Sequence, residues 1–274
     1  MRDFSVLMPL YAGDDPGALE DAFKSILVEQ DFLPGQVVVV VDGPISQSLN
    51  EILHRWKVSF EVIDVVQLEE NLGISLALNS GLKHCSNEIV FRMDADDICN
   101  RERFRKQYDY MVQNPKIAMC SAWVEQYDFT MKNIVGVRNV PSTPAGVARF
   151  AKRRTPINHM ALCFRKSLIE SVGAYPDTRF PFEDWWLCLR VLRSGNYIGN
   201  LDEYLVKVRT GENFYKRRGG LVYAKSEIKA VLQMRKEGLL TAVDVLANLV
   251  IRTPARLLPV SLLTALYQKI LVRN

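Results

Sequence analysis

Gln36-Val37-Val38-Val39-Val40-Val41-Asp42-Gly43 is the stretch that decides the fold. Five valines in succession leave no polar side for water, so the run reads as a strand covered on both faces, as in a parallel sheet. It stops at an acid, and Asp42-Gly43-Pro44 reads as a turn. Working towards the N-terminus, Phe4 to Pro9 is another buried strand. Asp15 before Pro16 then marks a helix start, with Leu19, Ala22, Phe23, Ile26 and Leu27 recurring at helical spacing behind it. Working the other way, a helix is predicted from about Gln47 to Trp56 and a strand from Glu61 to Val66. The turn Asn71-Leu72-Gly73 follows, then a helix with Ile74, Ala77, Leu78, Gly81 and Leu82 on one face, then a strand from Glu88 to Phe91. This alternation makes about the first hundred residues an α/β unit with a mostly parallel sheet and right-handed crossovers.

Ligands of such sheets bind beyond the carboxyl ends of the strands. Tyr11, Asp42, the Asn71–Gly73 turn and the run Phe91-Arg92-Met93-Asp94-Ala95-Asp96-Asp97 all fall at those ends. Acids packed this closely after a buried strand repel one another, and folding alone gives no reason to collect them. A divalent cation removes the conflict: Mg²⁺ or Mn²⁺ takes hard oxygen ligands and commonly bridges carboxylates to the phosphates of a nucleotide. A solvated turn with Asp97 capping local structure accounts for the same tripeptide. The convergence of four features on one sheet edge favours the ligand site.

The bulk numbers set wide limits. The chain has 274 residues, 48% of them hydrophobic, enough for one large domain and an appendage, and disorder is not expected. A net charge of +4, with no basic block interleaved with aromatics, does not indicate a nucleic-acid partner. Cys85, Cys99, Cys120, Cys163 and Cys188 are scattered and odd in number, which fits reduced thiols in the cytosol rather than a zinc site. Met1 runs directly into a strand-like segment, so no signal peptide is expected.

Past the acids, a helix after Asn100 is predicted with Phe104, Tyr108, Met111 and Val112 on one face, ending at Asn114-Pro115. Ile117 to Val124 is a strand, and Met131 to Val137 another, open to antiparallel pairing. The basic segment Arg149 to Arg154 reads as a solvated helix end or a phosphate-facing patch. Phe182-Glu183-Asp184-Trp185-Trp186 opens a helix that buries Trp186, Leu187, Leu189 and Val191. The helix dipole favours an acid in the first turn by ~0.3–1 kcal/mol, which accounts for one of the two acids. Tyr204 to Arg209 is a strand, followed by a turn at Thr210-Gly211.

These residues carry a resemblance. The strand ending in Pro9-Leu10-Tyr11, the Asp42-Gly43 step, Asn71-Leu72-Gly73, Asp94-Ala95-Asp96-Asp97 and Glu183-Asp184-Trp185-Trp186 follow the order and spacing of a family 2 inverting glycosyltransferase of the GT-A fold, over about residues 3–215. The segment from Lys207 to Gly220 is similar to bacterial enzymes that build surface or exported polysaccharides. The resemblance implies a three-layer α/β/α domain with a mixed central sheet over residues 1–215, and a helical appendage over 216–274. It implies transfer of a sugar, with inversion, from a nucleoside diphosphate sugar, most often a UDP-sugar, to a hydroxyl of a saccharide or lipid-linked saccharide.

Residue by residue, it implies that Pro9 and Tyr11 line the base pocket, with the Tyr11 ring stacking on uracil. Asp42 would accept from the base's N3–H, an ionised carboxylate being an acceptor only. Asn71 and Gly73 would shape the turn beside the nucleotide, and Asp94 would lie near the ribose. Asp96 and Asp97 would hold a Mn²⁺ or Mg²⁺ ion, which stabilises the departing diphosphate. Asp184 would be the general base that inversion requires, with Glu183 orienting the site. His159, Trp185, Arg209, Arg217 and Arg218 would face acceptor or diphosphate. The chain departs from its relatives in having Ser75-Leu76 where a cation is common, and Arg209-Thr210-Gly211 where a metal-binding His is common.

The tail from Leu221 reads as helices, apolar but interrupted by Arg252, Pro254, Arg256 and Pro259, too broken for the ~20-residue run of a membrane span. Residues 221–274 hold eight Lys/Arg against three Asp/Glu. Apolar helices with positive charge suit either a surface-lying contact with anionic lipid at the cytoplasmic face of the inner membrane or packing against the catalytic domain or a second subunit. Two other functions are weighed against this one. A sugar-phosphate nucleotidyltransferase would want a basic glycine-rich loop after the first strand, where Tyr11–Gly17 is acidic. A non-catalytic scaffold would bind nucleotide at the membrane without turnover.

Overall fold

A computed structural model describes residues 4–178, 181–211 and 219–257. The first half follows the alternation read above. Strand β1 (Phe4–Tyr11) leads into helix α1 (Pro16–Leu27), β2 (Gln36–Asp42), α2 (Gln47–Ser59), β3 (Ile63–Gln67), α3 (Ile74–Leu82) and β4 (Ile89–Arg92). The four strands are parallel, in the order β3-β2-β1-β4. Val37, Val39 and Val41 pack with Phe4, Val6 and Met8 towards α1, while Val38 and Val40 pack with Leu7 towards α3. Each such side chain contributes roughly 1.5–3 kcal/mol of burial. Gly81 lets α3 lie close on the sheet, since a Cβ there would stand 2.3 Å from Val40 and 2.4 Å from Leu7.

The second half turns the sheet mixed. It adds β5 (Ile98–Cys99), α4 (Arg103–Gln113), β6 (Ile117–Tyr127), β7 (Ile134–Arg138), α5 (Pro144–Ala151), β8 (Cys163–Arg165), α6 (Lys166–Ser171), α7 (Glu183–Arg193) and β9 (Tyr197–Arg209). Strand β8 runs antiparallel between β4 and β6, β9 runs parallel to β6, and β5 pairs antiparallel with β9. Strand β7 pairs antiparallel with β6. The α/β architecture with a mixed central sheet is therefore as expected. One face differs: Val112 is exposed, and α4 buries Arg103, Phe104, Gln107 and Met111 instead. The physical reason is Arg103, whose guanidinium donates to the Arg92 carbonyl at 2.7 Å and lies over Phe91 and Phe104, turning the helix towards the end of β4.

Helices α8 (Gly220–Lys236) and α9 (Ala242–Arg256) complete the described chain. Ala230, Val231, Met234 and Leu240 share one core with Phe182, Trp185, Trp186 and Leu189, so the appendage packs on α7. Among the described residues no helix is long and apolar enough to cross a membrane.

Candidate functional site

A cleft of about 290 Å³ opens at the carboxyl ends of β1, β2 and β4. Its walls include Pro9, Tyr11, Asp42, Asn71, Gly73, Asp94 and Asp96, which the sequence had singled out as site residues, together with Asp14, which it had not. Tyr11 is half exposed at the lip. Its ring lies where a side chain on Gly13 would stand, so Gly13 leaves the space the ring occupies.

Asp42 is held by the start of α3. One carboxylate oxygen accepts from the Leu72 N–H at 2.7 Å and the other from the Gly73 N–H at 3.0 Å, while Asn71 donates to the Asp42 carbonyl at 3.2 Å. Gly43, at φ +82°, brings the two turns together, since a Cβ there would stand 2.6 Å from the Asn71 nitrogen. A carboxylate has about four lone-pair sites, so Asp42 keeps capacity for a further donor from the cleft.

The acids after β4 are in the opposite condition. Carboxylate oxygens of Asp94, Asp96 and Asp97 lie within 4.8 Å of one another. Burial, then the neighbouring Asp94 charge, pushes Asp96 up to about 6. Burial, then Asp96 and Asp94, holds Asp97 well above the usual carboxylate range. Asp14 is pushed up to about 7, by burial first and then by Asp96 and Asp94, although its carboxylate accepts from the Tyr11 N–H at 2.9 Å. Asp97 Oδ1 accepts from the Arg209 N–H at 2.9 Å, whereas the buried Oδ2 has no hydrogen-bond partner among the described residues. Three converging carboxylates, one with an unmatched buried oxygen, fit a hard divalent cation, which would supply the positive charge they lack.

Arg92, which sequence reasoning passed over, explains why the cluster is tolerable without collapse. Its buried guanidinium pairs with Asp94 through both amino groups, one at 2.6 Å. Arg209 braces the same turn from the other side. Its Nε donates to the Asp96 carbonyl at 3.0 Å, and its amino groups reach the Phe129 carbonyl at 2.6 Å and the Asp21 carboxylate at 2.9 Å. The guanidinium is thus occupied inside the protein rather than presented to a diphosphate.

Glu183 and Asp184 stand at the first turn of α7, outside the walls of the cleft but coupled to it by charge. Glu183 is pushed up to about 7 by burial and then by Asp184, and it also senses Arg92 and Asp94. Asp184 Oδ1 accepts from the Trp185 N–H at 2.7 Å. His159 approaches Glu183 at 3.7 Å and shares a 2.9 Å hydrogen bond with Tyr175. Burial and then Arg92 hold His159 well below its ordinary range, so it is neutral and the approach to Glu183 is no ion pair. Burial likewise raises Tyr175 far above the usual phenol range, which keeps its hydroxyl protonated. Trp185 is not among the residues that line the cleft. It is buried, and its indole N–H donates to the Ala151 carbonyl at 2.6 Å. Arg217 and Arg218 lie outside the described residues.

Comparison with known proteins bears on this arrangement. The model of the family described as "Glycosyl transferase family 2" matches residues 5–171. Amylovoran biosynthesis glycosyltransferase AmsE of Erwinia amylovora is 36% identical over 269 residues, 97% of this chain and 98% of that one. UDP-Gal:alpha-D-GlcNAc-diphosphoundecaprenol beta-1,3-galactosyltransferase of Escherichia coli is 35% identical, over 98% of this chain and 97% of that one. Among solved structures, the mannosyltransferase PcManGT from Pyrobaculum calidifontis, in complex with GDP-Man and Mn²⁺, superposes with a TM-score of 0.64 at 18% identity. That match spans 98% of this chain and 75% of that one, and at this identity it bears on the fold alone.

Proposed function

The chain belongs to glycosyl transferase family 2 and is a glycosyltransferase, and from that premise we propose that it moves a sugar from a UDP-sugar to a hydroxyl of a lipid-linked saccharide during bacterial polysaccharide synthesis, with inversion in a single displacement. One observation carries the reading: residues from four separate strand ends and turns, Tyr11, Asp42, Gly73 and Asp96, meet in one cleft. A nucleoside diphosphate needs that juxtaposition of an aromatic lip, an acceptor for the base and an acidic floor.

In this proposal Tyr11 stacks on the base, Asp42 uses its remaining lone pairs on the base N–H, and Asn71 and Gly73 hold Asp42 in place. Asp94 lies beside the ribose, fixed by Arg92. Asp96 and Asp97 would hold Mn²⁺ or Mg²⁺, which when bound neutralises charge on the departing diphosphate. Arg209 positions these two acids, and Arg217 and Arg218 are assigned to the diphosphate. Asp184 takes the proton of the acceptor hydroxyl as it attacks the anomeric carbon, and Glu183, beside neutral His159, orients the site. No separate acid is needed, since the leaving group is itself a stabilised anion. Residues 1–215 form the catalytic unit and 216–274 the appendage, working at the cytoplasmic face of the inner membrane.

The test separates binding from transfer. Asp184→Asn is expected to keep UDP-sugar binding and to lose transfer by about 100- to 10,000-fold. Transfer at the parental rate overturns the assignment of the base. A nucleotidyltransferase is disfavoured because the first loop offers Asp14 to the cleft, the wrong sign to cradle a triphosphate. A scaffold is distinguished by UDP-sugar binding without release of UDP, even with lipid extract present as acceptor.

A further inference from the structure

Helix α9 is built inside out. Asp244, Asn248, Arg252 and Arg256 follow one another at intervals of four and face the protein. Val243, Leu246, Val250 and Leu257 lie on the opposite stripe, each between 53% and 72% exposed. An ordinary amphipathic helix buries the second set and solvates the first.

The inversion is held by specific contacts. Arg252 and Arg256 both pair with Glu227 of α8, which is buried, the second at 3.0 Å. Asn248 donates to the Lys152 carbonyl at 3.0 Å, Asp244 pairs with Arg153 at 3.5 Å, and Asp244 closes a capping box with Thr241. Rotating the helix to hide its apolar stripe would strand Glu227 and Asp244 without their partners. The outward stripe is therefore a fixed surface. A row of large apolar side chains at this exposure marks an interaction site.

Charge selects the occupant. The acids of this region are already spent, Glu227 on Arg252 and Arg256, Asp244 on Arg153, and Glu237 on Arg190. The outer face of α8 then sets exposed Lys225 and Lys236 among exposed Leu221, Val222 and Leu232. Two copies of such a surface would oppose like charges. An anionic bilayer surface complements both the lysines and the apolar stripe. We propose that the outer faces of α8 and α9 form a docking surface for an anionic membrane, with α9 lying in the interface.

The location gives the surface a purpose. The inner face of α9 touches the catalytic helix, with the Arg252 guanidinium 4.9 Å from the centre of the Trp185 ring, next in sequence to Asp184. The bilayer would then lie about one helix diameter, ~10–12 Å, beyond that contact. In this respect the inference rests on the reading of a lipid-linked acceptor, which membrane docking would bring to Asp184.

The test needs neither donor nor acceptor, so its outcome is independent of the proposed transfer. The full chain is sedimented with vesicles of phosphatidylethanolamine and phosphatidylglycerol, and separately with vesicles of phosphatidylcholine alone. The parent chain is expected to partition onto the anionic vesicles and far less onto the neutral ones. Leu246→Glu/Val250→Glu is expected to lower anionic partition at least about tenfold, with an unchanged unfolding midpoint because both positions are exposed. Leu246→Ser/Val250→Ser, which adds no charge, should fall between. Equal partition of parent and Glu variant overturns the proposal, as does a parent that stays in solution. A parental dimer that the Glu variant splits, read by light scattering, assigns the stripe to a second copy. A lower unfolding midpoint of the Glu variant without vesicles shows the stripe already covered within the chain and overturns the proposal.

Discussion

Asp42 and Asp96 sit on the same sheet edge, in the same cleft, as the same residue type, and their circumstances are opposite. Asp42 closes β2, where the backbone of the following helix start offers it two N–H groups. Asp96 stands in the link between β4 and β5, where burial, then the neighbouring Asp94 charge, pushes it up to about 6. A carboxylate whose charge is already met by the backbone is a fixed part of the wall. One whose charge is unmet is open to a cation, and Arg92, through Asp94, and Arg209, through the Asp96 carbonyl, brace the turn that holds it. In the proposed function the β2 rim would recognise a neutral hydrogen-bond donor and the β4 rim would take a cation.

Substitutions can break this contrast. The largest effect belongs to Asp96→Ala, which is expected to weaken Mn²⁺-dependent UDP-sugar binding by at least about 100-fold while leaving the unfolding midpoint unchanged or raised, since it relieves repulsion. Equilibrium binding with and without Mn²⁺ checks it. Asp42→Ala should do the reverse in stability, destabilising the fold by about 2 kcal/mol because two N–H groups at the start of α3 lose their acceptor. Urea unfolding reads that loss.

A stability effect of similar size, but dependent on pH, is expected at Glu183, which is held at about 7 against an ordinary 4.5. Between those values the folded protein keeps a proton that the unfolded chain has released. The group's contribution is therefore full below about pH 4.5 and is lost as the pH rises through about 7. Glu183→Gln should be stabilising by about 1–3 kcal/mol at about pH 8 and neutral at about pH 4, measured as unfolding midpoints across that range. The mildest change is Arg209→Lys, which keeps the charge but loses the fork that spans Asp96, Phe129 and Asp21, and should weaken Mn²⁺ binding by about tenfold.

What was legible in the sequence divides at about Asp97. Before it, strands and helices alternate and the strands pair in parallel, in the order β3-β2-β1-β4, so the valine run, the Asp15-Pro16 start and the Asn71-Leu72-Gly73 turn announce both the sheet and the rim of the cleft. After it, the site depends on contacts between residues far apart in sequence. Nothing near Arg209 says that β9 will carry it to the backbone of Asp96, and Tyr175 has no local sign of its bond to His159. Arg92 reads as the last residue of a strand until Asp94 folds back over it. Trp185 shows the converse, since an aromatic beside the expected base looked like part of an acceptor site, yet its ring is needed where α7 meets α9. The inverted stripe of α9 was visible only as an apolar tail with scattered arginines, because which face turns inward is decided by Glu227 on another helix.

The most direct measurement of the central claim is a titration of Mn²⁺, followed by its electron spin resonance signal, into the parent chain, Asp96→Ala and Asp184→Asn at neutral pH. The account predicts saturable binding to the parent and to Asp184→Asn, tightened by UDP and weakened as the pH falls towards 5, with none to Asp96→Ala. Parental Mn²⁺ binding by Asp96→Ala would contradict it.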